Sequence, residues 1–281
     1  MTALDDIAAG IRDGWLVPWL GPDVLTLDGP PPIPTSTRAL AERLVALAPV
    51  PGRIRGNVWS SAQYIESHQH RMTLVRLIGS IFAPRPEPNA LHRWLAAIAP
   101  PLVIEGWYDS TMARAMAGRD DWGLVQAVTR NGEWKDVWYR TLTPTGEQVA
   151  DETAEGWGSV IYKPHGGVEP AGSFLLSDSD YVEVLTEIDI QTPIPPVVRA
   201  LRATRGFVFL GCRFRDQMER MFATQIMKRS AGPHFAVIEG DLTRNEARFL
   251  ARQDIRRIDL PLDLTVERLT GAACANAPCA A

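Results

Sequence analysis

Short apolar segments bounded by turn residues alternate along this chain with segments of helical periodicity. Several of the apolar segments are continuously hydrophobic, which is typical of strands covered by helices on both faces. The predicted strands are Leu16–Leu20, Leu102–Glu105, Gly123–Val128, Val160–Lys163, Phe207–Leu210, Phe235–Glu239 and Ile255–Asp259. The alternation of strands with helices predicts a doubly wound, mainly parallel α/β sheet of the Rossmann-like kind.

The helices are predicted from capping residues that precede apolar positions on one helical face. The predicted starts are Ser36 or Thr37 before Leu40, Leu44 and Leu47; Asn89 before Leu91, Trp94, Leu95 and Ile98; and the capping-box pair Thr243 and Glu246. A further helix after Asp216 carries Met218, Met221, Phe222 and Ile226 on one face. Because methionine fills irregular gaps well, we interpret this stripe as core packing rather than as a ligand-facing surface.

The chain of 281 residues, 46% of them hydrophobic, is long enough for one large core, and residues 1–270 are expected to form one α/β domain. Residues 118–158 are rich in tryptophan, glycine and charge, and they interrupt the alternation. They are therefore expected to form a small inserted segment. Residues 271–281 are mostly alanine and contain Cys274 and Cys279, and we expect them to form a flexible tail.

The formal net charge of −4 gives no electrostatic reason to expect nucleic acid or an anionic membrane as a partner. No apolar run approaches the roughly 18 residues that span a bilayer. Three cysteines do not make a disulfide framework, and without paired CxxC motifs we expect no metal site. The acidic N-terminal region is unlike a signal peptide, so the cytoplasm is the expected location. Whether the chain forms homo-oligomers is left open.

Four of the predicted strands are followed by residues suited to ligand binding, since open α/β sheets bind ligands beyond the carboxyl ends of their strands. The four segments are Pro18–Val24, Glu105–Thr111, Tyr162–Gly167 and Phe209–Asp216. In this order they resemble the sirtuin-like family, which has a Gly-Ala-Gly loop, an Asn-x-Asp turn, a Lys-x-His-Gly segment and a glycine turn ending in Asp. Further similar stretches are 61–65, 89–95, 177–182, 234–238 and 249–258.

The resemblance implies a site for nicotinamide adenine dinucleotide (NAD). It implies catalytic roles for His165 and Asp109, and cofactor contacts for Gly21, Asp23, Trp107, Tyr108, Gly166, Gly211, Cys212 and Glu239. Structural interpretations stay open beside these roles. His165 would then be a satisfied core histidine, Asp109 a cap of the next helix, Cys212 a buried filler and Glu239 a solvated loop acid.

The sequence departs from the family pattern at two informative positions. Trp107 stands where the family has the Asn on which NAD cleavage depends, and Asp23 stands where a glycine would let backbone amides approach phosphate. The zinc ribbon of deacetylating sirtuins is absent, so protein deacetylation is not expected. The sequence therefore favours a protein that binds NAD or ADP-ribose with impaired catalysis. The alternatives are an active NAD hydrolase with His165 as base, and a protein-interaction module with a vestigial pocket.

Overall fold

The computed structural model describes residues 3–129, 137–187 and 194–271. Its strands are β1 (Leu16–Leu20), β2 (Leu102–Glu105), β3 (Trp122–Ala127), β4 (Tyr139–Leu142), β5 (Gln148–Val149), β6 (Ser159–Lys163), β7 (Gly166–Gly167), β8 (Ser173–Phe174), β9 (Gly206–Leu210), β10 (His234–Val237) and β11 (Ile255–Ile258). Its α-helices are α1 (Ala3–Arg12), α2 (Thr37–Leu47), α3 (Val58–Gln69), α4 (Arg71–Ile81), α5 (Ala90–Ile98), α6 (Thr111–Ala115), α7 (Asp178–Glu187), α8 (Pro196–Ala203), α9 (Gln217–Met227), α10 (Arg244–Arg252) and α11 (Leu262–Thr270). Cys274 and Cys279 of the expected tail lie outside the described residues.

The main sheet has nine strands in the order β11-β10-β9-β1-β2-β6-β3-β4-β5. The strands from β11 to β3 are parallel to their neighbours, and they correspond to the strands that the sequence predicts. Strands β4 and β5 extend the edge in antiparallel pairing, within the segment 118–158. The predicted fold class, a mainly parallel α/β sheet with helices on both faces, is confirmed.

Successive side chains of the parallel strands enter two different cores, as the pleat requires. In β1, Val17 and Trp19 pack on one face of the sheet, whereas Leu16 and Leu20 pack on the other. Residues of α2, α3, α4, α7, α8, α9 and α10 complete the first core. Residues of α1, α5, α6 and α11 complete the second. Among the described residues, no helix is long and apolar enough to cross a membrane.

The predicted caps form as expected. The Ser36 hydroxyl accepts a hydrogen bond from the amide of Ala39 (3.1 Å), and the Asn89 side chain accepts from the amides of Leu91 and His92. Thr243 and Glu246 form the reciprocal capping box of α10.

Two apolar side chains differ from the predicted core. Leu47, the last residue of α2, is 52% exposed, and Met221 is 37% exposed because it lies in an open groove between α9 and α10. The interpretation of the methionine stripe as core packing is therefore wrong for Met221.

A buried lysine connects the strand ends at the centre of the sheet. The ammonium of Lys163, at the end of β6, lies 2.7 Å from the carboxylate of Glu105 at the end of β2. It also donates hydrogen bonds to the backbone carbonyls of Trp107 (3.0 Å) and Asp109. Both charged side chains are almost fully buried. Lys163 therefore fixes the path of the chain that follows β2.

We expect Lys163→Met to lower the free energy of unfolding by about 3–5 kcal/mol, because Glu105 would be left as a buried acid without its counter-charge. The measurement is urea denaturation at pH 7.5. The double variant Lys163→Met, Glu105→Gln removes both charges and is expected to be more stable than Lys163→Met. Equal destabilisation of the two variants would contradict a role for charge pairing.

Candidate functional site

The four candidate segments follow four adjacent strands, in the order β9, β1, β2 and β6, so they meet at one edge of the sheet. Five of the predicted site residues line two neighbouring cavities there: Gly21, Trp107, Tyr108, His165 and Cys212. Side chains from α2, α3, α7 and α9 complete the walls: Thr37, Leu40, Val58, Trp59, Tyr181, Met218, Glu219 and Ala223. Among the described residues, this is where five of the ten predicted site residues come together.

Each cavity has a volume of only about 40 Å³. Pockets for small molecules and cofactors enclose about 300–1,000 Å³, whereas a single water needs roughly 10–15 Å³ measured in the same way. The space beside His165 therefore suits a few water molecules. In this arrangement of side chains it does not fit a dinucleotide.

Trp107 accounts for much of this filling. Its indole is 5% exposed and donates a hydrogen bond from Nε1 to the carbonyl of Pro34 (2.9 Å). Its ring lies 6.2 Å from that of Phe82 and 5.2 Å from that of Tyr108, measured between centroids. The side chain of Trp107 therefore packs as part of the core, with its one polar atom satisfied.

Tyr108 has a comparable role beside it. The ring is buried against Phe174, and the hydroxyl donates to the carbonyl of Leu175 (2.9 Å). Burial, together with the neighbouring Tyr181 hydroxyl, raises the pKa of Tyr108 well above its usual value. At neutral pH this tyrosine is a hydrogen-bonded structural group.

His165 faces the cavities but is held by aromatic neighbours. Its Nδ1 lies 3.0 Å from the hydroxyl of Tyr181, and the ring of Phe222 lies 4.6 Å away. Burial, and secondly the positive charge of Lys163, lower the pKa of His165 to about 3. A general base works best when its pKa is close to the operating pH. His165 in this environment is a neutral and very weak base.

The glycine loop after β1 packs backbone to backbone against the loop after β9. The amide of Gly21 donates to the carbonyl of Leu210 (2.8 Å), and that of Asp23 donates to the carbonyl of Gly211 (3.1 Å). Pro22 has no amide hydrogen. A Cβ on Gly21 would lie 2.2 Å from the carbonyl oxygen of Gly211, so close approach of the two loops requires glycine. The amides that would bind a phosphate here are used within the protein.

Asp23 does not line either cavity. Burial raises the pKa of its carboxyl group, while the nearby Arg213 and Arg215 oppose that rise. The acid that does line both cavities is Glu219, at the start of α9. Burial, with the nearby charge of Asp216, raises the pKa of Glu219 to about 8, so this group is mainly uncharged at neutral pH.

Asp109 and Cys212 both make contacts within the protein, although the N-cap of α6 is Ser110 rather than Asp109. The Asp109 carboxylate accepts a hydrogen bond from the amide of Thr111 (2.9 Å) at the start of α6. The Cys212 sulfur is buried, 3.7 Å from the carbonyls of Trp19 and Leu210. Burial raises the pKa of this thiol well above its usual value, which opposes formation of a nucleophilic thiolate.

Gly166 and Glu239 lie outside the residues that line the cavities. Gly166 has φ of +72°, and a Cβ there would lie 2.4 Å from the carbonyl oxygen of Ser173, so the β7–β8 hairpin requires glycine. Glu239 is an exposed residue after β10, and its backbone carbonyl accepts from Arg213 (3.4 Å).

Sequence reasoning did not single out Lys163, Tyr181, Phe222 or Glu219 as site residues. Tyr181 lies in the stretch 177–182, which carries family resemblance, and Glu219 follows Asp216 at capping-box spacing. These signals indicate a family segment and a helix start. They do not indicate which side chains enter the cavity.

A comparison with protein-family models matches residues 101–258 of the chain to the SIR2-like domain. The matched region includes β2, β6 and β9 with the residues that follow each strand, and it covers more than half of the chain. No curated protein matches the chain significantly.

The low pKa of His165 makes stability depend on pH. A histidine with a lowered pKa in the folded state stabilises the protein above pH 6.5, and this contribution is lost as the pH falls towards 3. Between pH 7.5 and 5.0, we expect wild-type protein to lose about 2 kcal/mol more unfolding free energy than His165→Asn.

Urea denaturation at the two pH values measures this difference. Buried His92, whose pKa burial lowers to about 4, contributes equally to both proteins. His68→Asn removes an exposed histidine and serves as the control. If His165→Asn leaves the pH dependence of the wild-type protein unchanged, the lowered pKa of His165 is contradicted.

Proposed function

The chain belongs to the SIR2-like domain family, and from this premise we propose that it is a non-catalytic member that acts as a protein-interaction module. Domains of this family generally bind NAD. The single observation that carries the proposal is the filling of the space beside His165, which leaves cavities of about 40 Å³. The small size of these cavities supports the interpretation that the cofactor site is vestigial.

Three further observations support loss of NAD cleavage. Trp107 packs in the core at the position of the family's Asn, with its indole bonded to Pro34. The amides of Gly21 and Asp23 are used within the protein rather than directed towards a phosphate. His165 has a pKa of about 3, which is far from that of an effective base at neutral pH. Each of these features opposes the active-hydrolase alternative.

Binding of NAD or ADP-ribose without cleavage is the second candidate. It is favoured by the convergence of Gly21, Trp107, Tyr108 and His165 at one edge of the sheet. Such binding would require Trp107 and the covering helices α2, α3 and α7 to move away from the strand ends. The few cysteines of the chain suit a reducing compartment such as the cytoplasm for either candidate.

We expect wild-type protein at 1 mM NAD to release no nicotinamide above the buffer control, measured by liquid chromatography. Calorimetric titration with NAD and with ADP-ribose is expected to give no binding heat. Asp23→Gly is expected to behave in the same way, because Asp23 does not line the cavities.

Two other outcomes of these measurements would support the alternative functions. Nicotinamide release that is lost in His165→Ala would establish an active hydrolase and overturn the proposal. Saturable binding of NAD or ADP-ribose without release would establish the second candidate.

Restoring the family residue tests whether Trp107 has become structural. We expect Trp107→Asn to lower the unfolding free energy by about 3–5 kcal/mol, since it removes a buried aromatic ring, and not to restore cleavage. Trp107→Phe keeps a smaller ring in the core and loses the bond to Pro34 with part of the packing, so a smaller loss of about 1–2 kcal/mol is expected. Nicotinamide release by Trp107→Asn would show that this one residue blocks an otherwise competent site.

A further inference from the structure

An open groove of about 480 Å³ runs between α9 and α10, on a part of the surface separate from the cavities beside His165. Its walls combine arginines with uncharged polar side chains and two apolar ones: Gln217, Arg220, Met221, Thr224, Gln225, Asn245, Arg248, Phe249, Arg252 and Gln253. Three of these residues are arginines, and none is acidic. The groove therefore presents positive charge and amide groups together.

Two of the three arginines are available to a ligand. Arg220 is held at one wall by hydrogen bonds to the carbonyls of Phe214 (2.6 Å) and Arg215 (2.5 Å). Arg248 and Arg252 are exposed, and no carboxylate among the described residues pairs with either of them. Their guanidinium groups can therefore bind an incoming anion without breaking an existing ion pair.

The placement of charge on α10 has no internal explanation. Arg244, Arg248 and Arg252 are each four residues apart, so they lie on one helical face, where like charges destabilise the helix. Glu246, the acid of this helix, is buried and paired with Arg213. Residues 213–257 contain ten Arg and Lys against six Asp and Glu, although the whole chain has a net charge of −4. The segment that carries the groove is thus more basic than the chain as a whole.

From this geometry we infer that the α9–α10 groove binds a short acidic peptide segment of a partner protein. The guanidinium groups of Arg248 and Arg252 suit carboxylates, and the amide side chains of Gln217, Asn245 and Gln253 suit a peptide backbone. From Asn245 to the C-cap residue Gln253, the α10 wall extends about 12 Å, which equals about four residues of extended peptide. An open groove also suits a peptide better than a small molecule, which needs enclosure on most sides.

The test uses fluorescein-labelled hexaglutamate and full-length protein, followed by fluorescence anisotropy at 50 mM salt. We expect saturable binding by wild-type protein, and at least about tenfold weaker binding by Arg248→Glu, Arg252→Glu. The matched control is Arg53→Glu, Arg76→Glu, which makes the same charge change at exposed positions outside the groove. The control is expected to weaken binding less than about threefold.

Several results would overturn the inference. No binding of hexaglutamate at 1 mM protein, or equal weakening by the two double variants, would exclude a specific acidic-peptide site. Tighter binding of a twelve-nucleotide single-stranded DNA, lost in Arg248→Glu, Arg252→Glu, would assign the groove to nucleic acid. A wild-type dimer in sedimentation velocity that this variant dissociates would assign it to a second copy of the chain. The outcome does not depend on NAD binding or cleavage, which are measured separately.

Discussion

The shape of the site depends on where the ammonium of Lys163 makes its bonds. Paired with Glu105 and donating to the carbonyls of Trp107 and Asp109, it ties the end of β6 to the turn after β2. A buried charge of this kind is tolerated only when its partners are in place, so the backbone of that turn has little freedom. The indole of Trp107 is consequently held where it donates a hydrogen bond to the carbonyl of Pro34 and packs near Phe82.

The aromatic rings that fill the space beside His165 stabilise the fold. A buried Trp or Tyr removes about 150–250 Å² from water, which stabilises the fold by about 4–6 kcal/mol per ring at about 25 cal/mol per Å². A cofactor that displaced Trp107 would have to offset this loss before any net affinity appeared. Tyr108, Tyr181 and Phe222 add to the same aromatic wall around His165. The aromatic rings around the two cavities are therefore a packed part of the core.

The fold could be predicted from the sequence because it depends on local patterns. Continuous apolar runs such as Phe207–Leu210 and capping residues such as Thr243 determine their own elements, and the alternation of elements determines the parallel sheet. The convergence of strand ends follows from that topology. The filling of the cavity could not be predicted, because it depends on which way Trp107 points. The raised pKa of Glu219 likewise depends mainly on burial beneath neighbouring side chains, which the local sequence does not reveal.

Helix α9 lies between the cavities beside His165 and the α9–α10 groove. One face of the helix lines the cavities, and the other face lines the groove. Met218, Glu219 and Ala223 line the cavities beside His165, whereas the remaining polar face lines the groove with Gln217, Arg220, Met221, Thr224 and Gln225. In a helix of 3.6 residues per turn these two sets project in different directions. The inner face is fixed by packing against the ring of His165 through Phe222. That packing positions the outer face in the folded protein, and a preorganised wall lowers the entropy cost of binding a flexible segment against it.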